Sequence, residues 1–365
     1  MFFKFHVTRF KVIILWFVGC TALYLASEHG HTECVKILLE QGAHKNLPTY
    51  FGNTPLHIAA QNGHSKTLSL LIDHGANLEA VNDVGATPIF MAAIKGNLEC
   101  ARILLIKGSN ESQRTHDGST LVHSAALCGM PECLKLFLQA GAPLDEIRTN
   151  GSTALHLAAE GGHPECMGIL LKLGADPNRK DKMGKTAMFH AAENGYEDCI
   201  KVLLEHGADV DLRTEEGNTA LHAASVRGHS KCIELLLKHG ADLMATTPQR
   251  ATTLHLAVNG GDKETINTVL DCGIDVNNRD QDGDAALHVA AMNGDVTSVQ
   301  YLITRGANVN ATNKASATPL FVAAIEGHLS CVTVLLERGA DFRKKTLKVR
   351  EFIIRSHYII PSKIS

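Results

Sequence analysis

An all-α fold of stacked helix-turn-helix units is what this 365-residue sequence predicts, and three observations carry the prediction. A threonine recurs at a 33-residue step, at Thr21, Thr54, Thr87, Thr120, Thr153, Thr186, Thr219, Thr252 and Thr318, with Ala285 in the one substituted slot. A short apolar string follows each of these positions. A second apolar string then runs to a Gly-Ala stop, with the glycine at 42, 75, 141, 174, 207, 240, 306 and 339. A fixed period of this length marks units that each bury an apolar face on the next. Ten slots keep the step without insertion or deletion, which predicts one elongated domain over 19–341.

The elements follow in order within one unit. Thr54 is placed to cap a helix through its hydroxyl, and Pro55 at the first helical position gives up no needed donor. Leu56, Ala59 and Ala60 fall on one helical face at spacings of three and four, and the small Ala pair lets two helices approach closely. Gly63 stands where the helix must stop with positive φ. Leu68, Leu71 and Ile72 form the inner face of the second helix, and Gly75 stops it. A two-helix unit of this size has no stable core alone, so its stability comes mostly from nearest-neighbour stacking.

The motif strings are TPLHIAA from Thr54, TPIFMAA from Thr87, TALHLAA from Thr153, TALHAAS from Thr219 and TPLFVAA from Thr318. Gly30-His31, Gly63-His64, Gly162-His163, Gly228-His229 and Gly327-His328 precede the second helices. Together these resemble the ankyrin repeat, over about residues 19 to 341 and ten units. The resemblance implies a solenoid of helix pairs joined by hairpin-like loops, and a binding module whose ligand it does not name.

Charge and composition bound the function. The formal net charge is −3 and aromatic residues are 5% of the chain. Neither the basic excess nor the stacking aromatics of a nucleic-acid binder are there. Cys34, Cys100, Cys133, Cys166, Cys199, Cys232 and Cys331 share one slot early in the second helix. Adjacent units hold such thiols roughly 10 Å apart, the helix-to-helix distance, too far for a disulfide or a shared zinc. They read as small buried apolar residues, and they suit a reducing compartment: the cytoplasm, or the nucleus.

Both ends leave the period. Residues 1–18 carry Lys4, Arg9 and Lys11 and then an apolar run from Val12 to Val18. The uncharged stretch is shorter than the ~20 residues of a membrane helix, and its second half is already in repeat register. An atypical or capping segment is expected, with a targeting segment as the alternative. Residues 342–365 are basic and apolar, and are expected to form a tail or a helix that covers the end of the stack.

No chemistry competes with binding. Twenty histidines are present, but His57, His123, His156, His222, His255 and His288 share one slot, and His31, His64, His163, His229 and His328 another. A histidine that returns with the period serves the repeat. No phosphate-cradling, zinc-protease or serine-nucleophile motif occurs. Catalytic residues, cofactors and metal ligands are therefore not expected, and the chain reads as a monomeric, non-enzymatic scaffold or adaptor for protein partners, with nucleic acid and membrane set aside. Two alternatives stay open: a fragment of a larger signalling or channel protein, and a membrane-anchored or secreted array.

The resemblance places the binding surface on the loop tips and the outer side of the first helix, where these units vary. The candidates are an apolar strip of Tyr50, Phe51, Val84, Ile94 and Leu127, a basic tip with Lys180, Lys182 and Lys185, and an acidic tip with Asp280, Asp282 and Asp284. Apolar strips of this kind mark partner sites. The eighth unit departs most. Arg250 stands in the tip-glycine slot and Asp262 in the turn-histidine slot, which predicts a distorted loop near 246–251 and a weak joint. Asn277 and Asn310 fall where ankyrin arrays resemble substrates of an asparaginyl hydroxylase.

Overall fold

A computed structural model describes residues 19–346. The expectations for 1–18, and for the tail beyond residue 346, lie outside the described residues. Twenty α-helices and no strand are present among those described. They fall into two compact units that divide between Lys182 and Met183.

The first unit holds five helix pairs: α1 (Ala22–Glu28) and α2 (Thr32–Glu40), α3 (Pro55–Gln61) and α4 (Ser65–Asp73), α5 (Pro88–Lys95) and α6 (Leu98–Ile106), α7 (Leu121–Leu127) and α8 (Pro131–Gln139), α9 (Ala154–Gly161) and α10 (Pro164–Lys172). The second also holds five: α11 (Ala187–Asn194) and α12 (Glu197–Glu205), α13 (Ala220–Arg227) and α14 (Ser230–Lys238), α15 (Thr253–Gly260) and α16 (Lys263–Asp271), α17 (Ala286–Asn293) and α18 (Val296–Thr304), α19 (Pro319–Ile325) and α20 (Leu329–Glu337). Within each unit the odd-numbered helices stack on one another, as do the even-numbered ones.

The core is the apolar strip expected. Leu56, Ala59, Ala60, Leu68 and Leu71 are fully buried. Ile72 is only half-buried, and Thr67 takes the inner position instead. Gly63 stops its helix at φ 76°. All ten cysteines are free thiols. In the shared slot, Cys100, Cys133, Cys166, Cys199, Cys232 and Cys331 are buried, while Cys34 is exposed.

The expected hydroxyl cap is present at Thr21, Thr120, Thr186, Thr219 and Thr318, each accepting the N–H three residues on, and a second bond is added to it. At Thr54 the backbone N–H donates to His57 Nδ1 at 3.1 Å, the returning half of a capping box. That leaves the ring proton on Nε2, which donates to the carbonyl of Ala86 in the next loop at 3.0 Å. One imidazole thus caps its own helix and ties two helix pairs together. The hydroxyl is dispensable for this link, which explains Ala285: its backbone N–H donates to His288 Nδ1 at 3.0 Å with no hydroxyl present.

The loop at 246–251 is not distorted. Arg250 takes φ 59°, and the turn keeps its two bonds, Thr247 N–H to Ala251 O at 3.0 Å and Arg250 N–H to Thr247 O at 2.8 Å. The glycine version has the same pair, Thr214 N–H to Asn218 O and Gly217 N–H to Thr214 O, both at 2.9 Å. A left-handed conformation costs an L-residue about 1–2 kcal/mol, and two satisfied turn bonds outweigh that. Ser316 occupies the same slot two units on, at φ 62°.

Candidate functional site

Each loop tip is held to the next by one backbone bond. The carbonyl at the tip accepts the N–H of the residue 32 positions on: Phe51 from Asp83 at 3.2 Å, Val84 from His116 at 3.0 Å, and Asp117 from Thr149 at 3.0 Å. These rungs set the tips of the first unit side by side in a fixed register. Gly52 makes the close approach possible. A Cβ there would lie 2.7 Å from the Asn82 Cα.

The register places Phe51 and Val84 on successive rungs, with Tyr50 beside Phe51. They are 58%, 61% and 73% exposed, in that order. Such exposure of large apolar side chains on adjacent rigid loops has no role in the core. Ile94 and Leu127 sit in equivalent positions at the ends of the adjacent helices α5 and α7. Ile94 is half-buried and Leu127 is 38% exposed. The apolar candidates therefore form two groups on different elements, three residues on the tips and two on the helices.

The charged candidates divide. Lys180 and Lys182 are exposed on the last loop of the first unit. Lys185 is not a free tip cation. Its Nζ lies 2.9 Å from Glu193 Oε2, with both side chains largely covered, and 4.9 Å from the centre of the Phe189 ring. Arg227 reaches the same carboxylate at 3.6 Å. Pairing and ring contact draw the ammonium inward.

Asp284 is likewise not a tip acid. It is buried, and its Oδ1 accepts Asn313 Nδ2 at 2.8 Å. Burial pushes its carboxyl up to about 7, against the lowering effect of that bond, with Asp280 and Asp282 adding repulsion. Asp280 is half-buried. Its Oδ1 accepts the N–H groups of Asp282 and Asp284, both at 2.9 Å, and burial raises its pKa despite them. Asp282 is half-exposed. The acidic cluster thus mostly braces its own loop.

Sequence reading missed Met183, Val81 and Ile147. Met183 occupies the same slot as Phe51 and Val84 and is 57% exposed. The signal was present in the period, because an apolar residue at that slot has no core to enter. Val81 and Ile147 share a slot at the start of their loops and are also exposed.

The asparagines Asn277 and Asn310 brace the loops. Each Oδ1 accepts a backbone N–H from the next loop, Asn308 and Asp341 respectively, both at 2.8 Å. The repeating histidines are structural in the same way. Burial lowers His57, His123 and His288 to about 4, against the raising effect of the carbonyls they donate to. Among the described residues no group of three or more His, Cys, Asp or Glu side chains is arranged to hold a metal ion, and no helix is long and apolar enough to cross a membrane.

The family model for ankyrin repeats (three copies) matches residues 23–115, 89–181, 173–247 and 254–346. Among solved structures, 592 chains match. One is the crystal structure of the human ASB11 ankyrin repeat domain, at 28% identity and a TM-score of 0.57, covering 61% of this chain and 99% of that one. A search of the curated proteins gave no match.

Proposed function

Since the chain belongs to the ankyrin-repeat family, a class of protein–protein interaction modules, we propose that it is a non-enzymatic scaffold or adaptor that grips a protein partner by its loop tips and first helices. The observation that carries this reading is the exposure of Tyr50, Phe51 and Val84 on adjacent tips locked in register by backbone bonds. Rigid apolar side chains on a preorganised frame are what partner hot spots are made of. Ile94 and Leu127 extend the grip along the helices. Lys180 and Lys182 in the first unit, and Asp280 and Asp282 in the second, tune partner choice and association rate more than affinity. The chain acts as a monomer, and it works in the cytoplasm or nucleus, a compartment that suits ten free thiols.

The test is affinity capture by the full chain and by a Phe51→Ala, Leu127→Ala variant with an unchanged far-ultraviolet dichroism spectrum. The reading expects at least one partner retained by the parent chain to be lost by the variant. An identical partner set for both removes the apolar strip from the binding surface.

A further inference from the structure

The rungs that join successive tips fail at one place in the second unit. Met183 accepts Glu215 N–H at 2.9 Å, Gln249 accepts Gln281 N–H at 2.8 Å, and Asp282 accepts Lys314 N–H at 2.9 Å. The rung between these runs from Glu216 to position 248, which is Pro248. Proline has no N–H to give. Its ring fills the space beside Gly217, where a Cβ would meet Pro248 Cγ at 2.8 Å.

The other end of the same junction is altered as well. In the neighbouring pairs a turn histidine reaches back to the preceding helix pair: His229 Nε2 to the Glu193 carbonyl at 3.2 Å and His328 Nε2 to the Met292 carbonyl at 2.9 Å. Asp262 stands in that slot and turns inward on its own helix, its Oδ2 accepting the N–H of Thr265 at 2.8 Å. A carboxylate has no proton to donate to the carbonyls of α13. The next helix pair also has an aspartate there, Asp295, but keeps its tip rung. Among the described residues of the second unit, only the junction between α13–α14 and α15–α16 lacks both links.

Polar links are kept at the stem of the loop. Asp211 Oδ1 accepts Asp242 N–H at 3.1 Å, Arg213 Nη1 donates to the Thr246 carbonyl at 2.9 Å, and His222 Nε2 donates to the Ala245 carbonyl at 3.0 Å. Elsewhere the equivalent histidine reaches further along the loop, as His255 does to the Asp284 carbonyl at 2.9 Å. The backbones still pack at the turn, where Gly260 leaves room for the Val226 carbonyl.

We infer that the second unit carries a hinge at this junction, with residues 242–246 as the pivot and the Glu216 and Gln249 tips as the parts that move. A joint that lacks the tip rung and the turn link tilts at less cost than one that has them. Its tilt changes the separation of the Glu215–Glu216 tip from the acidic tip beyond Gln281, and so adjusts the spacing of charges offered to a partner.

The experiment is nitroxide distance measurement on the full chain with exposed Cys34 and Cys272 changed to serine. Labels go at Glu216→Cys with Gln249→Cys across the junction, and at Gln281→Cys with Lys314→Cys as an equivalent pair on a bonded junction. The hinge predicts a distance distribution about twice as broad for the first pair as for the second. Pro248→Thr, which restores an N–H, narrows the first distribution. So does Asp262→Asn, which keeps a helix cap and adds a donor as Asn97 has toward Ala60 and Gln61. Equal widths in the parent chain overturn the inference. An unchanged width in whichever of the two variants folds overturns it too.

Discussion

Asn313 donates through Nδ2 to a buried carboxylate oxygen of Asp284 at 2.8 Å, and the same link in the first unit runs from Asn82 Nδ2 to Asn53 Oδ1 at 3.0 Å. One site uses an amide acceptor and the other a carboxylate in the same slot. Only the carboxylate must lose its hydration to be charged there.

Asp284→Asn is therefore expected to stabilise the chain at high pH. The native carboxyl titrates at about 7 and the ordinary value is 3.8. A carboxyl raised on folding favours the native state below its unfolded pKa and loses that contribution as pH rises through the native one. The variant should gain on the order of a few kcal/mol at pH 8 and little at pH 4. Thermal melts at the two values check it, and an equal shift at both contradicts the burial argument.

The histidines act in the opposite direction. His57, His123 and His288 titrate at about 4 in the folded chain, against an ordinary 6.5, and burial lowers His222 and His255 as well. A base held neutral by burial contributes its full stability above 6.5 and loses it as pH falls toward 4. Denaturant midpoints measured in the Asp284→Asn background should fall between pH 7 and pH 4.5. Constant or rising midpoints would mean that the rings are charged in the native state.

His57→Phe tests the double duty of that ring. Phenylalanine already fills the slot at Phe90, fully buried, so the shape is tolerated. The substitution orphans the Thr54 N–H and one bond to the Ala86 carbonyl. The expected cost is about 1–3 kcal/mol, read from urea unfolding. A cost near zero would show that the two bonds add nothing to stability.

Thiol reactivity separates the cysteines. Burial pushes Cys100, Cys133, Cys166 and Cys232 up to about 11 and Cys199 up to about 12, while Cys34 and Cys272 are exposed. Because thiolate is the reactive form, a maleimide at pH 7.5 should modify Cys34 and Cys272 first. Mass mapping that finds Cys199 labelled as fast as Cys34 would rule out the buried placement.

The period made the helices legible, because every error in one unit is corrected by nine others. The slot logic also held the key to two residues that charge alone misplaced. Asp284 and Lys185 share their slot with Ala86 and Ala317, which are buried, and small residues there signal an inward position. Their charge suggested a solvated tip instead. Arg250 was legible as an oddity but not as a tolerated one, since its turn bonds are visible only in the folded loop. Pro248 shows the converse: the residue is plain in the sequence, yet its effect depends on a 32-residue rung that no local pattern reveals.

The central claim is that the apolar tips of the first unit are where a partner sits. A photo-crosslinking amino acid placed at Phe51, and in a parallel sample at exposed Lys66 on α4, tests it directly in cells. The account predicts a discrete higher-mass protein adduct from position 51 and none from position 66. Adducts from position 66 alone, or equal yields from both, would contradict it.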